Sequence, residues 1–238
     1  MLLDYAQLRT LTDCETFTLS QEAFERLDTY ANLLVETNKQ FNLTAITEPH
    51  DMTVKHFADC LKLFRYFTFP EGASCIDVGT GAGFPGLVLK LTRPDLQFTF
   101  LDSTKKKLVF IDTVLNEVGL TGETLHSRAE EAGQNPRYRE QFDFATARAV
   151  SNLPMLSEYA LPFVKVGGTF ISMKSATVGE ELAAAEQAIR LLGGKVQQNI
   201  LFDLVEDMPR RILSIEKISQ TPSKYPRPSA KIAKNPLK

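Results

Sequence analysis

The stretch CIDVGTGAGFPG, residues 75–86, decides the fold of this chain. The apolar residues 73–78 predict a short buried strand, and residues 84–91 predict a helix after it, with Pro85 in its first turn. The glycines between them permit positive φ angles and close backbone approach, and a helix N-terminus presents unpaired N–H groups. The stretch therefore predicts a strand–turn–helix unit that binds an anionic or polar ligand.

The glycines of this stretch fit nucleotide-binding motifs in two registers. Gly81 to Gly86 matches the dinucleotide pattern G-x-G-x-x-G, but in that pattern the first glycine directly follows the strand. That glycine is Gly79 here, so the register Asp77-x-Gly79-x-Gly81-x-Gly83 fits better. An acid at the strand end is typical of S-adenosylmethionine (AdoMet) enzymes, in which the turn surrounds a methionine moiety. A tight turn without a ligand remains the alternative, which the rest of the chain has to decide.

Composition indicates one globular unit of ordinary size. The 238 residues are 43% hydrophobic and 24% charged. No apolar run is long enough to span a bilayer, and the first residues lack the features of a signal peptide. Cys14, Cys60 and Cys75 show no metal-ligand spacing. We therefore expect a cytoplasmic protein with reduced thiols, no metal, no membrane partner and no requirement for an oligomer.

Charge is distributed unevenly, although the net charge is only −2. No acidic residue follows Glu216, and several prolines predict an extended tail. The basic residues of this part are Lys217, Lys224, Arg227, Lys231, Lys234 and Lys238. A phosphate-contacting arm and a solvated terminus fit this pattern equally well. If the tail is an RNA-binding arm, deleting residues 219–238 should weaken RNA binding and leave AdoMet affinity nearly unchanged.

The first part of the chain predicts helices without strands. Thr18 and Gln21 fit a capping box for a helix that ends near residues 41–42, and a second helix begins near residues 47–49. His56 and Asp59 lie on one face of the second helix. They could form a polar wall of a cleft, although spacing alone favours a pair that satisfies itself.

From residue 73 onward, strand and helix patterns alternate, which predicts a parallel sheet with crossover helices. Strands are predicted at residues 73–78, 97–102, 123–126, 142–147 and 169–174, and residues 196–204 and 211–217 are predicted to form a closing antiparallel pair. The helix before the fifth strand is predicted to end at Gly167 and Gly168. The predicted fold class is α/β, a doubly wound sheet of about seven strands. Three parts follow: a helical cap at 1–70, a core at 71–218 and a basic, proline-rich tail at 219–238.

Several polar residues follow the predicted strands. Asp102 lies about 20 residues after the first glycine, where an acid accepts hydrogen bonds from ribose hydroxyls. NAD and AdoMet share this feature, and a helix N-cap is compatible with it.

Ala129 and Glu130 follow the third strand, where they could contact adenine or simply begin a helix. Arg148 could hold a carboxylate or phosphate, or pair with an acid such as Asp143. A weaker candidate on the same logic, Lys174, ends the fifth strand.

The chain lacks several motifs of nucleic-acid methylases. After the fourth strand there is no Asn/Asp-Pro-Pro-aromatic motif and no cysteine that could attack a pyrimidine. No cluster of acids predicts a metal site. A reaction without these groups suits an acceptor that is already nucleophilic, and guanine N7 has a free lone pair and no proton to lose. Such a reaction needs positioning and no obligatory general base.

Motifs along nearly the whole chain resemble those of the bacterial small-subunit ribosomal RNA guanine-N7 methyltransferases, the glucose-inhibited division protein B (GidB, RsmG) family. The motifs are NLT at 42–44, HFAD at 56–59, DVGTGAGFPG at 77–86, LDS at 101–103, ARA at 147–149 and TPSKYP at 221–226. The stretch 77–86 is the most specific of them. Cys60 departs from the family's usual serine, and residues 104–107 depart from its Asn-Lys-Arg type sequence.

The resemblance implies a class I AdoMet-dependent methyltransferase fold. It implies AdoMet as donor and a guanine in the decoding-region loop of small-subunit ribosomal RNA, or of the small subunit itself, as acceptor. By position, the implied cofactor contacts are Gly79, Phe84, Ala129, Glu130 and Arg148. The glycine motif and the end of the second strand predict four more: Asp77, Gly81, Gly83 and Asp102. The implied RNA contacts are Lys105, Lys106, Lys107, Lys224, Arg227, Lys231 and Lys234.

The resemblance also moves His56 and Asp59 toward the active cleft. Together with Lys174, which ends the fifth strand, they are the catalytic candidates. Two other functions remain open at this point. One is an NAD-binding oxidoreductase that uses Gly81 to Gly86. The other is a non-catalytic AdoMet-binding factor in ribosome assembly.

Overall fold

A single twisted sheet forms the centre of the molecule. The computed structural model describes residues 1–148, 151–175 and 179–237, without the side chain of Glu180. Seven strands are found in this part of the chain: β1 (Ser74–Val78), β2 (Gln97–Asp102), β3 (Glu123–His126), β4 (Phe142–Arg148), β5 (Val164–Ser175), β6 (Gly194–Asp203) and β7 (Pro209–Lys217). Their order is β3-β2-β1-β4-β5-β7-β6. The pairs among β1 to β5 are parallel, and β7 runs antiparallel to both β5 and β6.

Helices cover both faces of the sheet. Those before the sheet are α1 (Tyr5–Thr12), α2 (Gln21–Asn38), α3 (Pro49–Met52), α4 (Asp59–Leu61) and α5 (Leu63–Tyr66), with a π-helical segment, Thr53–Ala58, between α3 and α4. The later ones are α6 (Gly86–Thr92), α7 (Lys105–Glu117), α8 (Ala129–Ala132), α9 (Leu153–Ala160), a 3₁₀ turn (Leu161–Phe163), α10 (Gly179–Leu191) and α11 (Ser229–Lys234).

Two apolar cores flank the sheet. The N-terminal helices pack with α6 and α7 in one core, which contains Phe24, Leu27 and Phe57. Side chains of α9 and α10 pack against the other face, where Leu156, Phe170 and Ile189 are fully buried. The antiparallel β7 joins the edge of the parallel strands through Thr169 to Ser175. This arrangement exposes the carboxyl ends of β1 to β4 at one edge, where ligands bind in doubly wound sheets.

Three predicted helix boundaries are wrong for identifiable reasons. Ser20, not Thr18, caps α2, since its hydroxyl accepts from the Ala23 N–H. The helix ends at Asn38 because the Asn38 Oδ1 accepts from the N–H groups of Leu43 and Thr44 and starts a loop. Helix α6 begins at Gly86, so that the predicted first-turn proline, Pro85, lies just before the helix.

The predicted helix before β5 ends earlier than Gly167 and Gly168. It stops at Ala160 and continues only as the 3₁₀ turn Leu161–Phe163, since Pro162 has no N–H group to donate to an α-helical hydrogen bond. Strand β5 therefore starts at Val164, which pairs with Phe142. The register of this pairing shifts between Phe142 and Phe144. The strands approach closely there, since a Cβ on Gly168 would lie 2.6 Å from the Asp143 carbonyl oxygen.

The tail differs most from the sequence prediction. Instead of extending from the body, it packs against it and ends in the unpredicted helix α11, whose Ile232 is fully buried. Lys238 lies outside the described residues, as does Ala149 of the predicted 147–149 motif.

Candidate active site

A cavity of about 530 Å³ opens at the carboxyl ends of the parallel strands. Its size lies within the range of small-molecule sites, roughly 300–1,000 Å³. It is lined by Leu43, Thr44, His56, Val78, Gly79, Thr80, Gly81, Ala82, Phe84, Leu101, Asp102, Ser103, Thr104, Lys107, Ser127, Arg128, Ala129, Glu130, Arg148, Tyr159 and Ser229. We call it the donor cavity.

The glycine turn forms the floor of the donor cavity. Gly79 and Gly81 have φ angles of 69° and 59°, which an L side chain rarely adopts. The N–H groups of Gly79 and Thr80 both donate to the Leu101 carbonyl oxygen of β2, 2.9 Å away. Because Gly79 directly follows β1, the register that starts at Asp77 describes the turn.

Asp77 holds this turn from below and does not line the cavity. Its fully buried carboxylate accepts from Thr80 Oγ1 at 2.6 Å, from the Gly86 N–H at 3.1 Å and from Thr146 Oγ1 of β4 at 2.7 Å. Burial raises its pKa, and the hydrogen bonds oppose that change. A Cβ on Gly86 would lie 2.6 Å from the Asp77 Cβ, so that glycine is needed for close packing. Gly83 likewise lies outside the cavity lining, with φ 109°.

Asp102 lies beside the glycine turn, at the end of β2. Its Oδ2 accepts from the Gly81 N–H at 3.0 Å, and its Oδ1 accepts from the Thr104 N–H at 2.8 Å. The carboxylate therefore has a fixed orientation. The cap of α7 is Thr104 and not Asp102, although Asp102 accepts from the backbone just before the helix.

The third wall follows β3. Ala129 and Glu130 begin α8, so the helix-start interpretation and the cavity interpretation both describe them. Three further residues of this wall, Arg128, Tyr159 and Ser229, were not predicted from the sequence. They come from the turn before α8, from α9 and from the tail, which sequence spacing does not place together.

The fourth wall is a stack of three side chains. The imidazole of His56 lies parallel to the Phe84 ring at 4.4 Å, and the Arg148 guanidinium lies 4.6 Å from the same ring centroid. An Nη of Arg148 donates to His56 Nδ1 at 3.1 Å. His56 Nε2 lies 2.8 Å from Oγ1 of Thr44, a residue of the 42–44 motif.

The environment of His56 keeps it neutral. Burial and the Arg148 charge lower its pKa to about 3. Because Nδ1 accepts from Arg148, Nε2 carries the proton and donates to Thr44. Both ring nitrogens are thus engaged, which leaves this imidazole no free lone pair for a general base.

Asp59 connects two arginines rather than pairing with His56. Its Oδ2 lies 3.4 Å from an Arg148 Nη, and its Oδ1 lies 3.5 Å from Arg210 Nε of β7. Burial raises the pKa of Asp59, which both arginines oppose. Asp143, the alternative partner for Arg148, bonds Ser74 and Lys165 instead. Asp59 therefore anchors Arg148 from behind the cavity wall.

Lys174 does not reach the donor cavity. Its ammonium group donates to the Ser151 carbonyl oxygen and lies 3.1 Å from a Glu181 carboxylate oxygen. In the structure, Lys174 therefore holds neighbouring segments together and does not contact the donor cavity.

The candidate RNA contacts occupy different environments. Lys105 and Lys106 are exposed at the start of α7, whereas Lys107 lines the donor cavity 3.7 Å from Asp102. In the tail, Lys224, Lys231 and Lys234 are exposed. Arg227 is instead paired with the buried Glu158.

The part of the chain that the structure describes has neither a metal-binding cluster nor a membrane-spanning helix. Among the described residues, no group of three His, Cys, Asp or Glu side chains could hold a metal ion. Within the same part of the chain, no helix has the length and apolar character needed to cross a membrane.

Sequence comparisons identify close relatives. A family model described as GidB, rRNA small subunit methyltransferase G, matches residues 23–209. The chain is 44% identical over 223 residues to ribosomal RNA small subunit methyltransferase G of Leuconostoc mesenteroides, which covers 92% of this chain and 93% of that protein. It is 43% identical over 221 residues to the protein of the same name from Clostridium botulinum, with 92% of each chain covered.

The fold is also similar to solved structures. TrmN from Thermus thermophilus aligns with a TM-score of 0.53 at 18% identity, over 70% of this chain and 53% of that chain. At this level of identity the similarity concerns the fold alone.

Proposed function

The chain belongs to the rRNA small subunit methyltransferase G family, and from that premise we propose that it transfers the methyl group of AdoMet to N7 of a guanine in the decoding-region loop of small-subunit ribosomal RNA. The observation that carries the proposal is the donor cavity. It joins a glycine turn after β1 to a fixed carboxylate at the end of β2, the arrangement that binds an adenosine ligand in doubly wound sheets.

The residues of the donor cavity fit AdoMet. Asp102 has its carboxylate oriented to accept from the ribose hydroxyls. Ala129 and Glu130 provide a backbone N–H and a carboxylate for the adenine edge. The backbone of Gly79 and Gly81 leaves room for the methionine portion, since neither has a side chain. Bound there, AdoMet would supply an electrophilic methyl group on a positively charged sulfur.

The wall formed by His56, Phe84 and Arg148 suits a reaction that needs no general base. His56 is neutral with both nitrogens engaged, and Asp59 is held between two arginines. An acceptor that must lose a proton would find no base among these groups. Guanine N7 keeps no proton, so the chain needs only to hold the base in line with the methyl group and exclude water.

Phe84 and His56, which are stacked on each other, line the cavity beside this position and expose a small part of their rings to it. An aromatic surface stacks on a base and orients its plane, as single-stranded RNA-binding sites do. Lys105 and Lys106, with the exposed lysines of the tail, supply positive charge for the RNA backbone. We assign target choice to the helical cap, 1–70, and these basic surfaces, and donor binding to the core, 71–218.

Methyl transfer can be tested with radiolabelled AdoMet. The protein is incubated with small-subunit RNA, naked or assembled with ribosomal proteins, from a bacterial strain that lacks this enzyme. Label should enter the small-subunit RNA, whereas large-subunit RNA incubated in the same way as a control should stay unlabelled. AdoMet binding without transfer to either form would favour the assembly-factor alternative. Binding of NADH without AdoMet would favour an oxidoreductase, and either result would overturn the proposal.

A further inference from the structure

The C-terminal tail is fastened to the body at several points. The Arg139 guanidinium donates to the carbonyl oxygens of Thr221, Pro222 and Tyr225 at 2.6, 3.3 and 2.8 Å. Nearby, Gln134 Nε2 donates to the carbonyl oxygens of Ser223 and Pro226 at 3.1 and 2.9 Å. The backbone of the tail thus has a defined path along α8 and the segment after it.

One ion pair fixes the last part of this path. Arg227 donates from Nε and Nη2 to the two carboxylate oxygens of Glu158 at 2.8 and 2.7 Å, and its backbone N–H donates to the same carboxylate at 2.9 Å. Glu158 lies on α9 and is fully buried. A bidentate pair of this kind fixes orientation as well as position, and removing one partner leaves a buried charge without compensation.

The docked path brings the tail to the rim of the donor cavity. Ser229, which follows the ion pair closely, lines the cavity beside Arg128 and Glu130. The same three residues also line a neighbouring groove together with Lys224 and Pro226. The wall concerned follows β3, next to Asp102, and is therefore the adenosine side of the cavity.

We propose that the tail is a fixed wall of the AdoMet site and that Arg227 is a positioning residue, which holds Ser229 at the adenosine side through Glu158. The inference rests on the proposed function, because it assumes that AdoMet occupies the donor cavity. A ligand that contacts the docked tail stabilises the docked state, and tail docking raises the affinity for that ligand in turn. This replaces the sequence-based expectation that the tail leaves AdoMet affinity unchanged.

A bulky side chain at the rim tests the position of the tail without disturbing its anchors. Ser229→Trp should weaken AdoMet binding at least tenfold in isothermal titration calorimetry, since the indole would enter the adenosine side. Ser223→Trp is the matched control, because Ser223 is exposed and lines neither the cavity nor the groove. Equal affinity of wild type and Ser229→Trp would overturn the proposal.

The ion pair is tested by Arg227→Gln, with Arg227→Lys as the conservative variant and Lys234→Gln as the tail control. Arg227→Gln should raise the dissociation constant for AdoMet about tenfold, and Arg227→Lys should recover part of this loss. Hydrogen exchange should increase in residues 222–232 and stay unchanged in β1 and β4. AdoMet should slow exchange of the tail in the wild type. Faster tail exchange with unchanged AdoMet affinity would overturn the proposal.

The wild-type titration separates this inference from the proposed function. If the wild type does not bind AdoMet, the proposed function fails. If the wild type binds AdoMet, and Ser229→Trp or Arg227→Gln binds it with the affinity of the wild type, only the tail inference fails.

Discussion

At the scale of single residues, Arg148 connects candidates that the sequence treats separately. It contacts His56, Asp59 and Phe84 at once, so that its guanidinium is held on three sides. Sequence position placed Arg148 at the carboxyl end of a strand, and the structure agrees. Its contacts with His56 and Asp59 could not be predicted, because these residues lie in the π-helical segment and α4, about 90 residues earlier.

Asp102 connects the glycine turn to the proposed ribose position, since its carboxylate accepts from the Gly81 N–H. Asp102→Ala removes the carboxylate proposed to hold the ribose, and we expect AdoMet affinity to fall about 10- to 100-fold, equivalent to roughly 1.4–2.8 kcal/mol. The measurement is equilibrium binding by calorimetry. Asp112→Ala is the control, since Asp112 contacts Thr124 and lies outside the donor cavity. Equal losses in both variants would contradict a specific role for Asp102.

The neutral His56 makes stability depend on pH. Its pKa is about 3 in the folded chain and 6.5 in its unperturbed state, because burial and Arg148 disfavour the imidazolium. The unfolded state therefore binds a proton first as the pH falls. The contribution is complete above about pH 6.5 and is lost between there and pH 3. Compared with His56→Gln, the wild type should lose up to about 1.4 kcal/mol more per pH unit in this window.

Urea unfolding at pH 7, 6 and 5 measures this difference. Thr44→Val serves as the control, since it removes a partner of the imidazole and keeps the imidazole itself. It should lower the free energy of unfolding at every pH and keep the wild-type slope. Parallel pH profiles for wild type and His56→Gln would disprove the buried neutral histidine.

At the scale of elements, the strand–turn–helix unit depends on one buried carboxylate. Asp77→Asn would replace an acceptor oxygen with an amide group that cannot accept from Gly86 N or Thr80 Oγ1. We expect a loss of about 1–3 kcal/mol in the free energy of unfolding, measured in urea, against a small change for Asp112→Asn. Unchanged stability with weakened AdoMet binding would mean that Asp77 contacts the donor directly.

Elements with strong local signals were predicted well, and those fixed by distant contacts were not. Strands β1, β2 and β4 follow from apolar runs, because most of their residues are buried within the sheet. Strand β3 is a short edge strand whose residues are at most half-buried. Strand β5 begins earlier than predicted, since the pairing of Val164 with Phe142 outweighs the glycines at 167 and 168. The π-helical segment that contains His56 left no sequence signal, although such segments are frequent at functional sites.

At the scale of the whole molecule, the predictions of family membership and of a class I methyltransferase sheet with an antiparallel last pair are confirmed. The tail could not be predicted, because composition reports that it is basic and rich in proline but not that Glu158 and Arg139 bind it. A basic residue such as Arg227 therefore counted as a candidate RNA contact when its charge is already paired.

The exposed lysines of α7 should act on RNA and not on the donor. Lys105→Gln with Lys106→Gln should weaken RNA binding and lower the slope of log affinity against log salt by roughly 0.7–0.9 for each lysine. AdoMet affinity should stay the same. Arg190→Gln with Lys195→Gln is the matched control, since both residues are exposed and lie near β6, at the opposite edge of the sheet. Equal salt slopes for the two double variants would place the RNA elsewhere.

The central claim concerns one atom of the RNA, and chemical cleavage tests it directly. Reduction with borohydride followed by aniline cleaves RNA at N7-methylguanine. Small subunits from a strain lacking the enzyme should become cleavable at one guanine in the decoding-region loop, and only after incubation with both the protein and AdoMet. Methyl incorporation without cleavage there would contradict the account.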